Sequence, residues 1–123
     1  MATLSDRVFD NGLSVLDTEA NKILITSSQP TTYTEANSTY ALGNSTTLSI
    51  SAPQDRIGGG REVVIAALTD GSITASGTAT HFAIVDTVNS RLLATGSLSN
   101  PRAVVAGNSF TLNTTTIGIP DPV

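Results

Sequence analysis

The chain contains no cysteine and no tryptophan, and only one histidine and one lysine among 123 residues. Without cysteine there is no disulfide framework and no thiolate to attack a carbonyl or hold a metal, so the redox compartment leaves no trace. Charge is equally thin, with ten acids and six cations giving a net charge of −4. Six scattered cations form no basic stripe, which argues against a nucleic-acid partner. The acids are uneven, six against two cations in residues 1–55 and four against four in 56–123. A mildly acidic, solvated face near the N-terminus is the expected consequence. No apolar run approaches the roughly 20 residues that cross a bilayer, so no membrane partner is expected. The opening MATLSDRVFDNG lacks a basic start followed by an apolar stretch, and no signal peptide is expected. The sequons at Asn37, Asn44 and Asn113 then read as chance products of polar loops.

What the chain has in abundance is serine, threonine and asparagine, 41 of 123 residues. Hydrophobic residues make up 39%, and with so small a net charge the chain is not of the disordered class. Aromatics are limited to Phe9, Tyr33, Tyr40, Phe82 and Phe110, so a core must be built from Val, Ile, Leu and Ala. Such a composition suits sheets, with short polar side chains facing water and branched ones facing inward. The length fits one domain spanning 1–123, large enough for a single core.

Residues 5–20 predict a helix. Ser5 or Asp6 caps it, and Phe9, Leu13, Leu16 and Ala20 form one stripe at three- and four-residue spacing. Gly12 leaves open a turn at Asp10-Asn11-Gly12 followed by a strand. A β-rich body follows over 22–117, starting with a strand at Lys22–Thr26. Residues 28–44 carry Pro30 and both tyrosines with no sustained period, which predicts a long surface segment suited to contacts. Thr46–Ser51 alternates with Leu48 and Ile50 on one face, and Arg61–Leu68 is apolar on both faces, as an interior strand would be. Asp70-Gly71 signals a turn, and Thr78–Thr87 with Arg91–Leu98 forms the clearest hairpin. Phe110 and Leu112 share one phase while Ile117 and Ile119 share the other. Asn113–Thr116 should therefore hold a bulge, a sheet-switching bend or a break. The ending 118–123 contains Pro120 and Pro122, cannot continue a central ladder, and reads as an extended arm. About eight strands after one helix predict a mainly β fold, an antiparallel β-sandwich or flattened barrel with one short N-terminal helix.

Catalytic groupings are scarce. A Ser-His-Asp reading would pair His81 with Asp86, but five positions along a strand put the two on opposite faces. His81 beside Phe82 instead predicts a structural histidine bonded across the sheet. Asp17 with Glu19, and Asp6 with Asp10, are carboxylate pairs on a helix surface with no aromatic platform for a sugar, and read as a solvated face. No calcium-loop spacing occurs. Gly58-Gly59-Gly60 lacks the strand-to-helix setting of a phosphate loop and opens onto the strand residues Arg61-Glu62-Val63-Val64, so it predicts a hairpin tip. Arg56 and Arg61 flank it, balanced by Asp55 and Glu62. No cofactor, metal or catalytic residue is expected, and the chain reads as non-enzymatic.

Whole phrases carry a resemblance. Ser5–Thr26, then SSQPTTYTEA (27–36) and STYALG (38–43), resemble the opening of a group of small structural proteins of tailed bacteriophages. GTATHFAIVDTVNSRLLATG (77–96) and TIGIPDPV (116–123) are similar to that group's closing half, and 44–57 is the least similar stretch. The resemblance implies a virion component, made in the host cytoplasm, and transfers no site residues. A head-decoration or cement protein on the outer surface of the major capsid lattice is the expected function, with a tail, baseplate or fibre component, or a carbohydrate-binding host-attachment module, as the alternatives. The expected partners are the major capsid protein or another virion protein, and further copies of the chain in a homo-oligomer. Candidate contacts are Tyr33, Tyr40, Gly58, Gly59, Gly60, Ile119, Pro120 and Pro122.

Overall fold

The structure is a computed structural model in which residues 6–120 are described. Helix α1 (Asp6–Glu19) precedes strands β1 (Lys22–Thr26), β2 (Ala41–Ser45), β3 (Gln54–Asp55), β4 (Arg61–Ile65), β5 (Leu68–Ile73), β6 (Gly77–Asp86), β7 (Arg91–Val104), β8 (Ser109–Leu112) and β9 (Thr115–Ile119). A π-helical turn at Glu35–Thr39 lies between β1 and β2. The strands form two antiparallel sheets, ordered β7-β6-β1-β2-β5-β8 and β3-β4-β9. The mainly β, antiparallel fold with one N-terminal helix is thus present. Neither sheet closes on itself, so the flattened barrel is not formed. The fold divides into two compact units: Ala20–Leu48 with Leu68–Leu112, and α1 with Ser49–Ala67 and the segment from Asn113.

In the larger unit β1 pairs on both sides, with β2 and with β6, in the register Leu24↔Asn44 and Leu24↔Ala83. A strand flanked on both edges and covered on both faces needs apolar residues in both phases, and KILIT supplies them. Leu24, Ile25 and Thr26 are each at most 2% exposed. The Thr26 hydroxyl donates to the Ser28 carbonyl at 2.8 Å, which satisfies a polar group that would otherwise be costly to bury. Leu24, Ala36, Ala83 and Val85 form a buried cluster, and Tyr33, Ala41 and Leu92 pack against it.

The two phenylalanines of this sheet each face a glycine across the ladder, Phe82 opposite Gly96 and Phe110 opposite Gly71. The rings lie over the glycines. A Cβ on Gly96 would stand 2.5 Å from Phe82 Cε1, and one on Gly71 would stand 2.6 Å from Phe110 Cδ1. Ring-over-glycine pairing lets a chain with few bulky residues fill the sheet surface without voids.

The β6–β7 hairpin forms where the alternation predicted it, with Asp86 opposite Arg91. Asp86 builds its turn: Oδ1 accepts from the Val88 N–H at 2.9 Å and Oδ2 from Asn89 Nδ2 at 2.8 Å. Further along, Ala79 pairs with Arg102 and His81 with Ser97, so residues 98–101 bulge out opposite Thr80. That excursion accommodates Pro101, which has no N–H to give a ladder.

Several expectations are corrected. Thr46–Ser51 is not a strand, and only Ile50 makes an isolated bridge, to Ile65. The strand lies earlier, at β2, because Gly43 permits a close approach to β5, where a Cβ would lie 2.6 Å from the Ser72 carbonyl oxygen. Residues 28–44 are consequently not one surface segment. Arg61–Leu68 is not one strand either: β4 ends at Ile65 and β5 begins at Leu68, in the other sheet. Asp70-Gly71 is no turn but a register shift inside β5. Asp70 is held there by the hydroxyls of Ser45 at 3.1 Å and Thr47 at 2.7 Å.

The phase change after Leu112 resolves as a switch of sheets, with β8 ending the six-stranded sheet and β9 joining the three-stranded one. Gly118 and Ile119 are strand residues, paired with Glu62 and Arg61, not part of an arm. Pro120 ends the strand for want of a donor. Pro122, the Ser5 cap, and the side chains of Asp6, Phe9 and Asp10 lie outside the described residues.

In the smaller unit β4 is central. Val63 and Ile65 are buried, and so are Leu13 and Leu16 on the predicted stripe of α1.

Replacing Gly71 by Ala forces a methyl into the Phe110 ring and should destabilise the protein by about 1–3 kcal/mol, the usual range for overpacking. Urea unfolding measures this. A Gly71→Ala midpoint equal to that of the wild type would contradict the ring-over-glycine packing.

Candidate interaction surface

The tyrosine segment belongs to the larger unit and is internally bonded. The N–H and the hydroxyl of Thr31 both donate to Glu35 Oε1 at 2.8 Å, and the Glu35 N–H donates to Thr32 Oγ1 at 3.1 Å. The Tyr40 N–H donates to the Glu35 carbonyl at 2.8 Å, which closes the π-helical turn, and Lys22 Nζ donates to Asn37 Oδ1 at 3.0 Å. Tyr33 and Tyr40 are half-buried. Tyr33 packs on the Leu24 cluster, so it supports the core as well as offering part of a ring to solvent.

The backbone N–H of Thr31, then its hydroxyl, and further the Tyr40 hydroxyl hold the Glu35 carboxyl below its ordinary value. Asp86 is depressed as well, first by the Asn89 side chain and then by the N–H groups of Val88 and Asn89, with Arg91 adding attraction.

The glycine tip belongs to the smaller unit and joins β3 to β4. Gly58, Gly59 and Gly60 have φ of 92°, 103° and 91°, a left-handed run that side chains with a Cβ resist. The Gly59 N–H donates to the Arg56 carbonyl at 3.0 Å and the Arg56 N–H to the Gly60 carbonyl at 3.1 Å. Arg56 Nη1 reaches the Gly59 carbonyl at 3.1 Å, and Arg61 pairs with Asp55 at 2.6 Å. Folded this way, the tip leaves Ile57 98% exposed.

Gly60 packs against the end of β9. A Cβ there would meet the Ile119 carbonyl oxygen and lie 2.8 Å from Pro120 Cα. The structure therefore brings Gly58–Gly60, Ile119 and Pro120 together, while Tyr33 and Tyr40 lie in the other unit. Ile57 escaped the sequence reading. Its signal was a lone β-branched residue between Arg56 and three glycines, in a turn with no core to reach.

His81 is half-buried with Nδ1 2.8 Å from Thr80 Oγ1. Its strand neighbour Asp86 is committed to the hairpin turn, so the two make no dyad. Among the described residues no three His, Asp or Glu side chains converge as metal ligands.

Because both depressed carboxyls are stabilised in their charged form, the stability they add is present above the ordinary carboxylate range. It is lost as pH falls through their lowered values. Melting temperature should be level from about pH 7 to 5 and fall below about pH 4, and Glu35→Gln/Asp86→Asn should flatten that fall. Parallel profiles for the two proteins would contradict the assignment. At the tip, Gly58→Ala meets backbone strain alone, on the order of 1–3 kcal/mol, whereas Gly60→Ala meets the same strain and the end of β9. Chemical unfolding should rank Gly60→Ala as the more damaging, and the reverse order would refute this packing.

Compared with known proteins, the chain matches no family model, no curated protein and no solved structure.

Proposed function

We propose that this protein is a non-enzymatic structural component of a tailed-bacteriophage virion that decorates the outer surface of the capsid lattice. The sequence phrases at 27–43, 77–96 and 116–123 motivate the virion, and one structural observation supports a docking role. Ile57 stands 98% exposed on a tip whose backbone is held by its own hydrogen bonds. An isoleucine side chain left in water forgoes about 1.5–3 kcal/mol that burial would return. On a tip held by the hydrogen bonds of Arg56 with Gly59 and Gly60, a partner can recover part of that energy at reduced ordering cost. Repetition over a lattice would then multiply a modest contact into stable attachment.

Purified particles test this reading. The protein should be present in a ratio comparable with the major capsid protein, and its absence from particles, or the low copy number of a tail part, would overturn it. Ile57→Ser should weaken binding to undecorated capsids. Its thermal stability should stay within about 0.5 kcal/mol of the wild type, because no packing is lost at so exposed a position. Undiminished capsid binding by that variant would exclude the tip as the contact.

A further inference from the structure

The two open sheets leave four strand edges, on β7, β8, β3 and β9. Natural sheets protect such edges with short strands, charges, prolines or bulges. β3 has two residues, including Asp55, and follows Pro53. β8 has four residues. β7 is interrupted by a register shift opposite Ile84/Val85 and again by the 98–101 excursion. β9 differs from all three. Its residues, Thr-Thr-Ile-Gly-Ile, are uncharged and pair with β4 in unbroken register from Arg61↔Ile119 to Ile65↔Thr115. Among the described residues, no backbone hydrogen bond from outside that ladder reaches β9.

We infer that the free edge of β9 pairs antiparallel with β9 of a second copy, across a two-fold axis, joining two three-stranded sheets into one of six. Symmetry restricts the register. A two-fold perpendicular to the sheet keeps each residue on the same face in both copies, so it must pass beside a residue that faces itself. Centring on Ile117 is the choice that pairs the whole strand: Ile117 with Ile117, Thr115 with Ile119, and Thr116 with Gly118. No charge is brought opposite a like charge, since β9 has none. Ile119, 37% exposed in the single chain, gains a neighbour from the second copy. The run stops where Pro120 lacks a donor, which limits pairing to these five residues and prevents open-ended growth from this edge. A homotypic partner fits better than a charged foreign strand, because β9 offers no charge for one to recognise.

A five-residue edge is far smaller than a standard interface of about 1,600 Å² in total, so the dimer should be weak and concentration-dependent. The inference does not need the virion reading, since a two-fold dimer in solution is expected whether or not particles carry the protein.

Sedimentation of the full chain should show reversible monomer–dimer exchange at concentrations up to about 0.5 mM. A strict monomer throughout would overturn the inference. Thr116→Lys puts a charge on an exposed edge position and should weaken the dimer at least about tenfold while leaving the melting temperature of the dilute protein unchanged. An unaffected dimer would refute the β9 edge. The register is read by Ile117→Cys, whose thiols face each other across the axis and should form an interchain disulfide on mild oxidation. Thr111→Cys, on the exposed β8 edge, serves as the control. Equal crosslinking of the two would contradict the register. If Ile117→Cys does not fold, the Thr116→Lys comparison alone decides.

Discussion

The middle position of β1 is the constraint on which the larger unit depends. A chain without tryptophan and with only five aromatics cannot anchor its core on a few large side chains. It must bring several branched aliphatic strands together with every backbone group paired. β1 achieves this by hydrogen-bonding to β2 on one edge and β6 on the other. The burial of Leu24, Ile25, Ala83, Ile84 and Val85 follows from that pairing. Where bulk is still missing, Phe82 and Phe110 spread over facing glycines and extend the apolar surface.

Much of this was legible in the sequence because β1, the β6–β7 hairpin and the α1 stripe carry strong periodic signals. KILIT is apolar in both phases, and Leu13 and Leu16 repeat at helical spacing. The phase conflict between Phe110/Leu112 and Ile117/Ile119 pointed to the sheet switch, since side chains alternate with a strict period of two. The misreadings share one physical cause. β2 (ALGNS) looks too polar for a core strand, yet Gly43 earns its place through close approach to β5, a tertiary property invisible to periodicity. Thr46–Ser51 has the right alternation, but it meets β4 only around Ile50, through the backbones of Ser49 and Ser51, and so short a pairing does not make a strand. Asp70-Gly71 resembles a turn, but hydroxyls from Ser45 and Thr47 hold Asp70 within a strand.

The candidate contacts were legible only as features. Three consecutive glycines announce a tip, and two prolines announce the end of a ladder. That Gly60 packs on Ile119 and Pro120, and that Ile57 is thereby left outward, follows from the register of β9 on β4. The tyrosines illustrate the converse. They are scarce aromatics in a polar segment, and the sequence does not reveal that Tyr33 also packs on the Leu24 cluster while staying half-exposed.

The larger unit thus has an aliphatic interior centred on β1, while the glycine tip of the smaller unit leaves Ile57 exposed. Native-state hydrogen exchange on the intact protein tests that division most directly. The amides of Ile23–Thr26 and Ala83–Val85 should exchange slowest, only through global unfolding, while those of Ile57 and Gly58 exchange fastest. Early exchange across β1, or protection at the tip as deep as that of β1, would contradict it.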